Sequence, residues 1–244
     1  MNSPFPYERL PLKEEFFGRT QELEKLSTIV KYSNNMLIHS KRRMGKSSLI
    51  KTFFEQNKDD YLCIYVDIFD ITSKEDFAQL LLKALANAGK FDLKTAIKNL
   101  TSLFKRVRVE PTIDPNTLEY LIKTIVATLS FEEMFEEFFN SLNELSKTNK
   151  IILSIDEFQQ IANITDVKLD AMMRKYIQEK QNISYIFLGS KRHLLTSLFE
   201  YKAPLYELAT HFELKPLDLI DVFEYAKDID KLLLDKLSNI LTEE

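Results

Sequence analysis

Residues Ser40-Lys41-Arg42-Arg43-Met44-Gly45-Lys46-Ser47 lie between an apolar run, Met36-Leu37-Ile38, and a helical pattern carrying Leu49, Ile50, Phe53 and Phe54. A strand, a tight turn and a helix amino terminus are what a phosphate group requires. Successive backbone N–H groups converge on its oxygens, and the helix dipole adds favourable potential. In that arrangement Gly45 permits close backbone approach and Lys46 reaches the β- and γ-phosphates. The Ser47 hydroxyl completes a magnesium shell, with Ser48 beside it in the first helical turn. The usual spacing is G-x-x-x-x-G-K-[ST], and Ser40 stands where the first glycine would be. If that position needs positive φ, serine costs about 1–2 kcal/mol; in the β region the exchange is nearly free. A plain basic surface turn is the bland alternative, and the placement between apolar strand and helix weighs against it.

A phosphate loop alone does not separate a kinase from a hydrolase, so the next requirement is a strand that ends in carboxylates. Ile151-Ile152-Leu153-Ser154-Ile155-Asp156-Glu157 supplies one, and Asp156 follows Lys46 by 110 residues. Asp156 would hold the magnesium shell and Glu157 would polarise water for attack on a γ-phosphate. A further apolar run, Tyr185 to Leu188, leads into Gly189-Ser190-Lys191-Arg192. Ser190 is the polar residue that a strand lying between the other two would deliver to the γ-phosphate, with a simple helix cap as the alternative. Arg192 could stabilise transition-state charge in cis or across a subunit contact, with a helix-surface arginine as the alternative.

These groups need a scaffold, and the composition can build one. The chain has 244 residues, 45% of them hydrophobic, enough for one large α/β domain or two small ones. A net charge of −4 gives no global attraction to nucleic acid or anionic membrane. The lone Cys63 cannot form an internal disulfide, and the histidines at 39, 193 and 211 have no zinc-ligand spacing. The first residues, MNSPFPYERLPLKEEFFG, lack the apolar stretch of an export signal, and no apolar run approaches the roughly 20 residues of a spanning helix. A cytoplasmic protein with no membrane segment is the expectation.

Strand-like runs at 36–38, 61–70, 151–155, 184–188 and 211–214 alternate with helical patterns at 20–29, 47–54, 73–104, 131–146, 166–180 and 191–199. Thr20 is the expected cap of the first helix. The almost wholly apolar run at 61–70 reads as a strand covered on both faces. Five buried strands alternating with helices in this way predict a doubly wound α/β sheet. Residues 106–122, with Pro111 and Pro115, read instead as a hairpin-like insertion.

Four ordered motifs, FFGRTQELEKL at 16–26, SKRRMGKSSLI at 40–50, IILSIDEFQQI at 151–161 and FLGSKRHLL at 187–195, resemble the archaeal-type ATPases. These are AAA+-related P-loop proteins of the STAND group, and the likeness covers almost the whole chain. The resemblance implies an ASCE-type five-stranded parallel sheet of order 5-1-4-3-2 sandwiched by helices, ATP with Mg2+ as ligands, and a nucleotide-driven switch. It also implies that Gly18 and Arg19 flank the adenine, that residues 1–215 form the ATPase core, and that 216–244 begin a helical lid. Family members usually continue into a full lid and a winged-helix domain. Here the sequence ends at Glu244 with only a short helical stub, and no arginine follows Arg192.

Three functions follow from these residues. The first is a Mg-dependent ATPase that couples hydrolysis to a conformational or assembly change, with an unidentified protein partner or a homo-oligomer as the assembly. The second is a regulatory module that binds ATP or ADP with negligible turnover. The third, a small-molecule kinase, would want an arginine-bearing lid over the phosphates. No guanine-reading NKxD segment is present, which favours ATP over GTP, and no basic face beyond the phosphate loop supports nucleic acid.

Overall fold

A computed structural model describes residues 16–88, 129–179 and 181–242. The proposed insertion at 106–122 lies outside these residues, as does the end of the helical pattern at 73–104. The order of elements is α1 (Thr20–Lys31), β1 (Met36–His39), α2 (Lys46–Asn57), β2 (Leu62–Asp67), α3 (Lys74–Asn87) and α4 (Phe131–Ser146). There follow β3 (Ile151–Asp156), a 3-10 segment (Phe158–Asn163), α5 (Leu169–Glu179), β4 (Ile183–Gly189), α6 (Arg192–Phe199), β5 (Thr210–Glu213) and α7 (Leu219–Thr242).

The five strands form one parallel sheet of order β2-β3-β4-β1-β5, the predicted 5-1-4-3-2 arrangement read from its other edge. Period-two alternation sorts its side chains onto two cores. Met36, Ile38, Ile152, Ile186 and Leu188 pack with Leu26 and Val30 of α1 and Leu49, Ile50 and Phe53 of α2. Leu37, Ile64, Val66, Leu153, Ile155, Tyr185 and Phe187 point the other way, onto α3, α4, α5 and α6. β3 and β4 are buried throughout, as strands covered on both faces must be.

Two expectations about the strands need correction. β2 is an edge strand whose burial is only partial at Leu62, Cys63 and Tyr65 and absent at Asp67. β5 is the other edge, with Thr210, His211 and Glu213 exposed. Apolar content does not distinguish an edge from a centre, because position in the sheet follows from pairing rather than composition.

Helix ends obey local rules where the side chains are free to cap. Ser73 with Asp76, and Ser130 with Glu133, form reciprocal capping boxes that start α3 and α4. In α4, Phe131, Met134, Phe135, Phe138, Phe139 and Leu142 repeat at helical spacing, and all six are buried. Thr20 does not cap α1: it is the first helical residue, and the cap position belongs to Arg19, without a side-chain capping bond. The Arg19 guanidinium is engaged instead with Glu22 Oε1 at 2.7 Å and the Met44 carbonyl at 3.2 Å.

Candidate active site

β4 lies between β1 and β3, and the chain winds outward in opposite directions from the β1–β4 pair. From β1 it passes through α2 to β2 at one edge, and from β4 through α6 to β5 at the other. Such a switch point opens a crevice at the carboxyl ends of the strands. The loop after β1, the Asp156-Glu157 pair after β3 and Ser190 after β4 all arrive there.

The loop begins at Ser40, whose N–H donates to the Gly189 carbonyl at 3.4 Å. Its left-handed residues are Arg43 (φ 63°) and Gly45 (φ 87°), and Ser40 is not among the positive-φ positions. The serine therefore carries no left-handed penalty, whereas Arg43 bears the roughly 1–2 kcal/mol such a backbone costs. A Cβ added at Gly45 would meet nothing within 4 Å, so glycine is needed there for its φ and the space beside it is open. Ser40 also contributes an acceptor that glycine lacks. Lys46, only 6% exposed, donates from Nζ to Ser40 Oγ at 3.2 Å and to the Ser40 and Lys41 carbonyls at 3.3 Å each. Burial pulls the Lys46 pKa below the ordinary lysine value, and the Asp156 and Glu157 carboxylates act against that shift.

Ser47, in the first turn of α2, reaches across β4 to β3, where its Oγ donates to Asp156 Oδ2 at 2.5 Å. Tyr65 of β2 donates to the same oxygen at 2.6 Å, and the Glu157 N–H donates to Asp156 Oδ1 at 2.8 Å. Asp156 is thus fixed from three sides. Burial first, then the Asp156 charge, raises the Tyr65 pKa, so the phenol stays a protonated donor at neutral pH. The Lys51 ammonium lies 4.9 Å from the centre of the Tyr65 ring and steadies it from α2.

Glu157 turns the chain out of β3 in the left-handed region, φ 54°. A non-glycine residue there costs about 1–2 kcal/mol and persists only where its surroundings fix it. Its carboxylate accepts from Ser190 Oγ, at 2.9 Å to Oε2 and 3.3 Å to Oε1, and from Gln159 Nε2. Ser190 is not the cap of α6, a position held by Lys191. Gln159 is 1% exposed, and its Oε1 has no hydrogen-bond donor among the described residues, at a cost of about 1–3 kcal/mol.

The structure therefore brings together Ser40, Lys46, Ser47, Asp156, Glu157 and Ser190. Other candidates stand further out. Lys41, Arg42 and Arg43 are exposed, and the Arg42 guanidinium lies 5.6 Å from the centre of the Phe69 ring. Ser48 is half-buried in the first turn of α2, and Met44 contributes its carbonyl to Arg19. Arg192 is exposed at the start of α6, where its charge, after burial, lowers the His39 pKa. Gly18 (φ 66°) packs so tightly on Leu217 and Asp221 that an added Cβ would lie 2.8 and 2.9 Å from their atoms. Together with the Phe17–Tyr225 ring stack at 3.9 Å, that contact ties the amino-terminal element to the residues around the start of α7. Burial pushes the Cys63 thiol up to about 12, which removes it as a nucleophile. Tyr65 and Gln159 were not foreseen from sequence. The only available signal was polar residues inside apolar segments.

The donor set fits magnesium with a nucleotide. A hydroxyl and a carboxylate meet at 2.5 Å beside a helix amino terminus, and Mg2+ takes one or two protein oxygens while phosphates and waters complete its octahedron.

Residues 16–241 match the family described as an ATPase domain predominantly from Archaea. The chain belongs to that family. Its fold is that of the P-loop ATPases, and the family is one that uses nucleotide, usually with Mg2+. A Walker-type ATPase of Pyrococcus abyssi superposes with a TM-score of 0.59 at 21% identity, covering 93% of this chain and 61% of that one. The Aeropyrum pernix ORC1 protein, solved in complex with DNA, gives 0.57 at 13% identity over 88% of this chain and 50% of its own. The ORC2 protein of the same organism, solved as ADPNP–ADP complexes, gives 0.54 at 14% identity over 86% and 51%. At these identities the likeness is one of fold, and the chain spans between half and two thirds of these structures. No curated protein matches the chain. Among the described residues no helix is long and apolar enough to cross a membrane.

Proposed function

We propose that this chain binds ATP with magnesium and hydrolyses it, and that the nucleotide state drives a conformational change. The reading rests on one observation above the others: Ser47, Asp156, Glu157 and Ser190 form a continuous hydrogen-bonded line beside the phosphate loop. The loop and Lys46 hold the phosphates, with Arg42 and Arg43 adding positive potential at its rim. Ser47 and Asp156 hold the metal, which when bound neutralises charge developing on the phosphate oxygens. Glu157 takes a proton from the attacking water, and Ser190 senses the terminal phosphate. Arg192, exposed at the start of α6, is the candidate to stabilise transition-state charge, in cis or across a subunit contact.

In this reading the ATPase core is assigned to residues 1–215 and a helical lid to 216–244. Gly18, packed on Leu217 and Asp221, is the joint by which a lid would respond to nucleotide beside Gly18 and Arg19. The partner in this reading is a protein or a second copy of the chain, in keeping with a net charge of −4.

The direct test is phosphate release from ATP with and without Mg2+, alongside nucleotide titration. Mg-dependent release of phosphate supports hydrolysis, and ATP binding with no release supports the regulatory module instead. A second expectation concerns Tyr65. Tyr65→Phe removes one of the two donors on Asp156 Oδ2, and outer-shell losses of this kind weaken metal binding about 10-fold or more. Titrating Mg2+ against a fluorescent ATP analogue should show that increase in the Mg2+ needed, with metal-free nucleotide affinity unchanged. An unchanged Mg2+ midpoint would remove Tyr65 from the site.

A further inference from the structure

Among the described residues the carboxylate of Glu157 has two side-chain donors, Ser190 and Gln159, and only one of them is free to stay. Ser190 has a single hydroxyl proton, now directed at Glu157 Oε2. Once a terminal phosphate oxygen accepts that proton, the serine can no longer donate it to Glu157. Gln159 is then the side-chain donor that remains.

Gln159 is built for a fixed role. It is 1% exposed, and its neighbour Phe158 is locked in the core by Phe187, with ring centres 4.4 Å apart. The adjacent Gln160 closes the turn, its N–H donating to the Glu157 carbonyl at 2.9 Å and its Nε2 to the Phe69 carbonyl at 2.7 Å. A carboxylate only accepts, so the amide NH2 is the end that faces Glu157, and Oε1 is left over Gly189 with no donor among the described residues. A Cβ built on Gly189 would overlap Gln159 Oε1 and the Leu195 side chain. The strand is glycine where Gln159 needs room.

We propose that Gln159 is a positioning residue that holds the Glu157 carboxylate in place when Ser190 turns to the nucleotide. The inference rests on the ATPase reading for its consequence, but the hold itself is a property of the nucleotide-free protein.

Two measurements test it separately. The first is a thermal double-mutant cycle without nucleotide, comparing wild type, Glu157→Ala, Gln159→Leu and the double variant. Both single changes break the same contact, so the double variant should melt higher than the sum of the single shifts predicts. Additive shifts would overturn the hold. If Gln159→Leu fails to fold, Gln159→Met fills the same slot without a donor. The second is steady-state hydrolysis by the Gln159 variant. ATP affinity should stay within about 2-fold of wild type, while kcat falls about 10- to 100-fold through misplacement of the base. An unchanged kcat, or a loss confined to affinity, would overturn the positioning role. Wild type that releases no phosphate while the melting shifts are coupled would sink the hydrolysis reading alone, with the hold supported.

Discussion

Lys46→Ala should abolish measurable ATP binding. The Lys46 ammonium sits inside the loop it serves, bonded to Ser40 Oγ and to the Ser40 and Lys41 carbonyls. Its removal has two consequences for a phosphate ligand. The positive charge that would meet the β- and γ-oxygens disappears, and charge-assisted bonds of this kind are worth about 1.5–3 kcal/mol each. The loop also loses the cross-brace between its first residues and the start of α2. The combined loss is about 3 kcal/mol or more, equivalent to at least roughly a 100-fold weaker Kd. Calorimetric titration with ATP and Mg2+ reads it directly. Stability without nucleotide should change little, because two effects oppose one another: alanine frees the fold from a desolvated cation, but it leaves two carbonyls without their donor. A variant that melts like wild type and binds ATP like wild type would count against the phosphate-loop assignment as a whole.

The scaffold of this site was legible because it is written in short-range patterns. Apolar runs ending in Ser40, Asp156 and Ser190 identify three strands and their order of arrival at one edge of the sheet. The details that tune the site are not written that way. Tyr65 lies 91 residues before the carboxylate it bonds, and its contact depends on β2 pairing with β3 in the register that sets Tyr65 opposite Ser154. No periodicity carries that register. The consequence of serine at position 40 was open for a similar reason, since a backbone angle decides it. The angle turns out to be unstrained, and the loop's left-handed turn falls on Arg43 and Gly45. Arg19 shows tertiary context overriding local propensity. Thr20 has the better capping side chain, yet the helix starts one residue earlier than that rule predicts, with Arg19 at the cap position and its guanidinium bonded to the Met44 carbonyl of the loop.

Glu157→Gln should separate binding from turnover. The amide has nearly the shape of the carboxylate, and its carbonyl oxygen can still accept from Gln159 or Ser190. The left-handed turn at φ 54° is set by the backbone and should survive. Lys46, Ser47 and Asp156, which carry the contacts to phosphate and metal, are untouched. ATP affinity should therefore remain within about 3-fold of wild type, an energy difference smaller than one hydrogen bond. Turnover should fall about 100- to 10,000-fold, because an amide does not take a proton from the attacking water and general-base assistance is worth that much. Single-turnover measurements with enzyme in excess exclude product release as the cause. A variant that binds ATP and releases phosphate at the wild-type rate would remove Glu157 as base. A wild type and a variant that both bind ATP and release no phosphate would mean that Glu157 is held by Ser190 and Gln159 for another purpose, that of a sensor in a protein that reads ATP without consuming it.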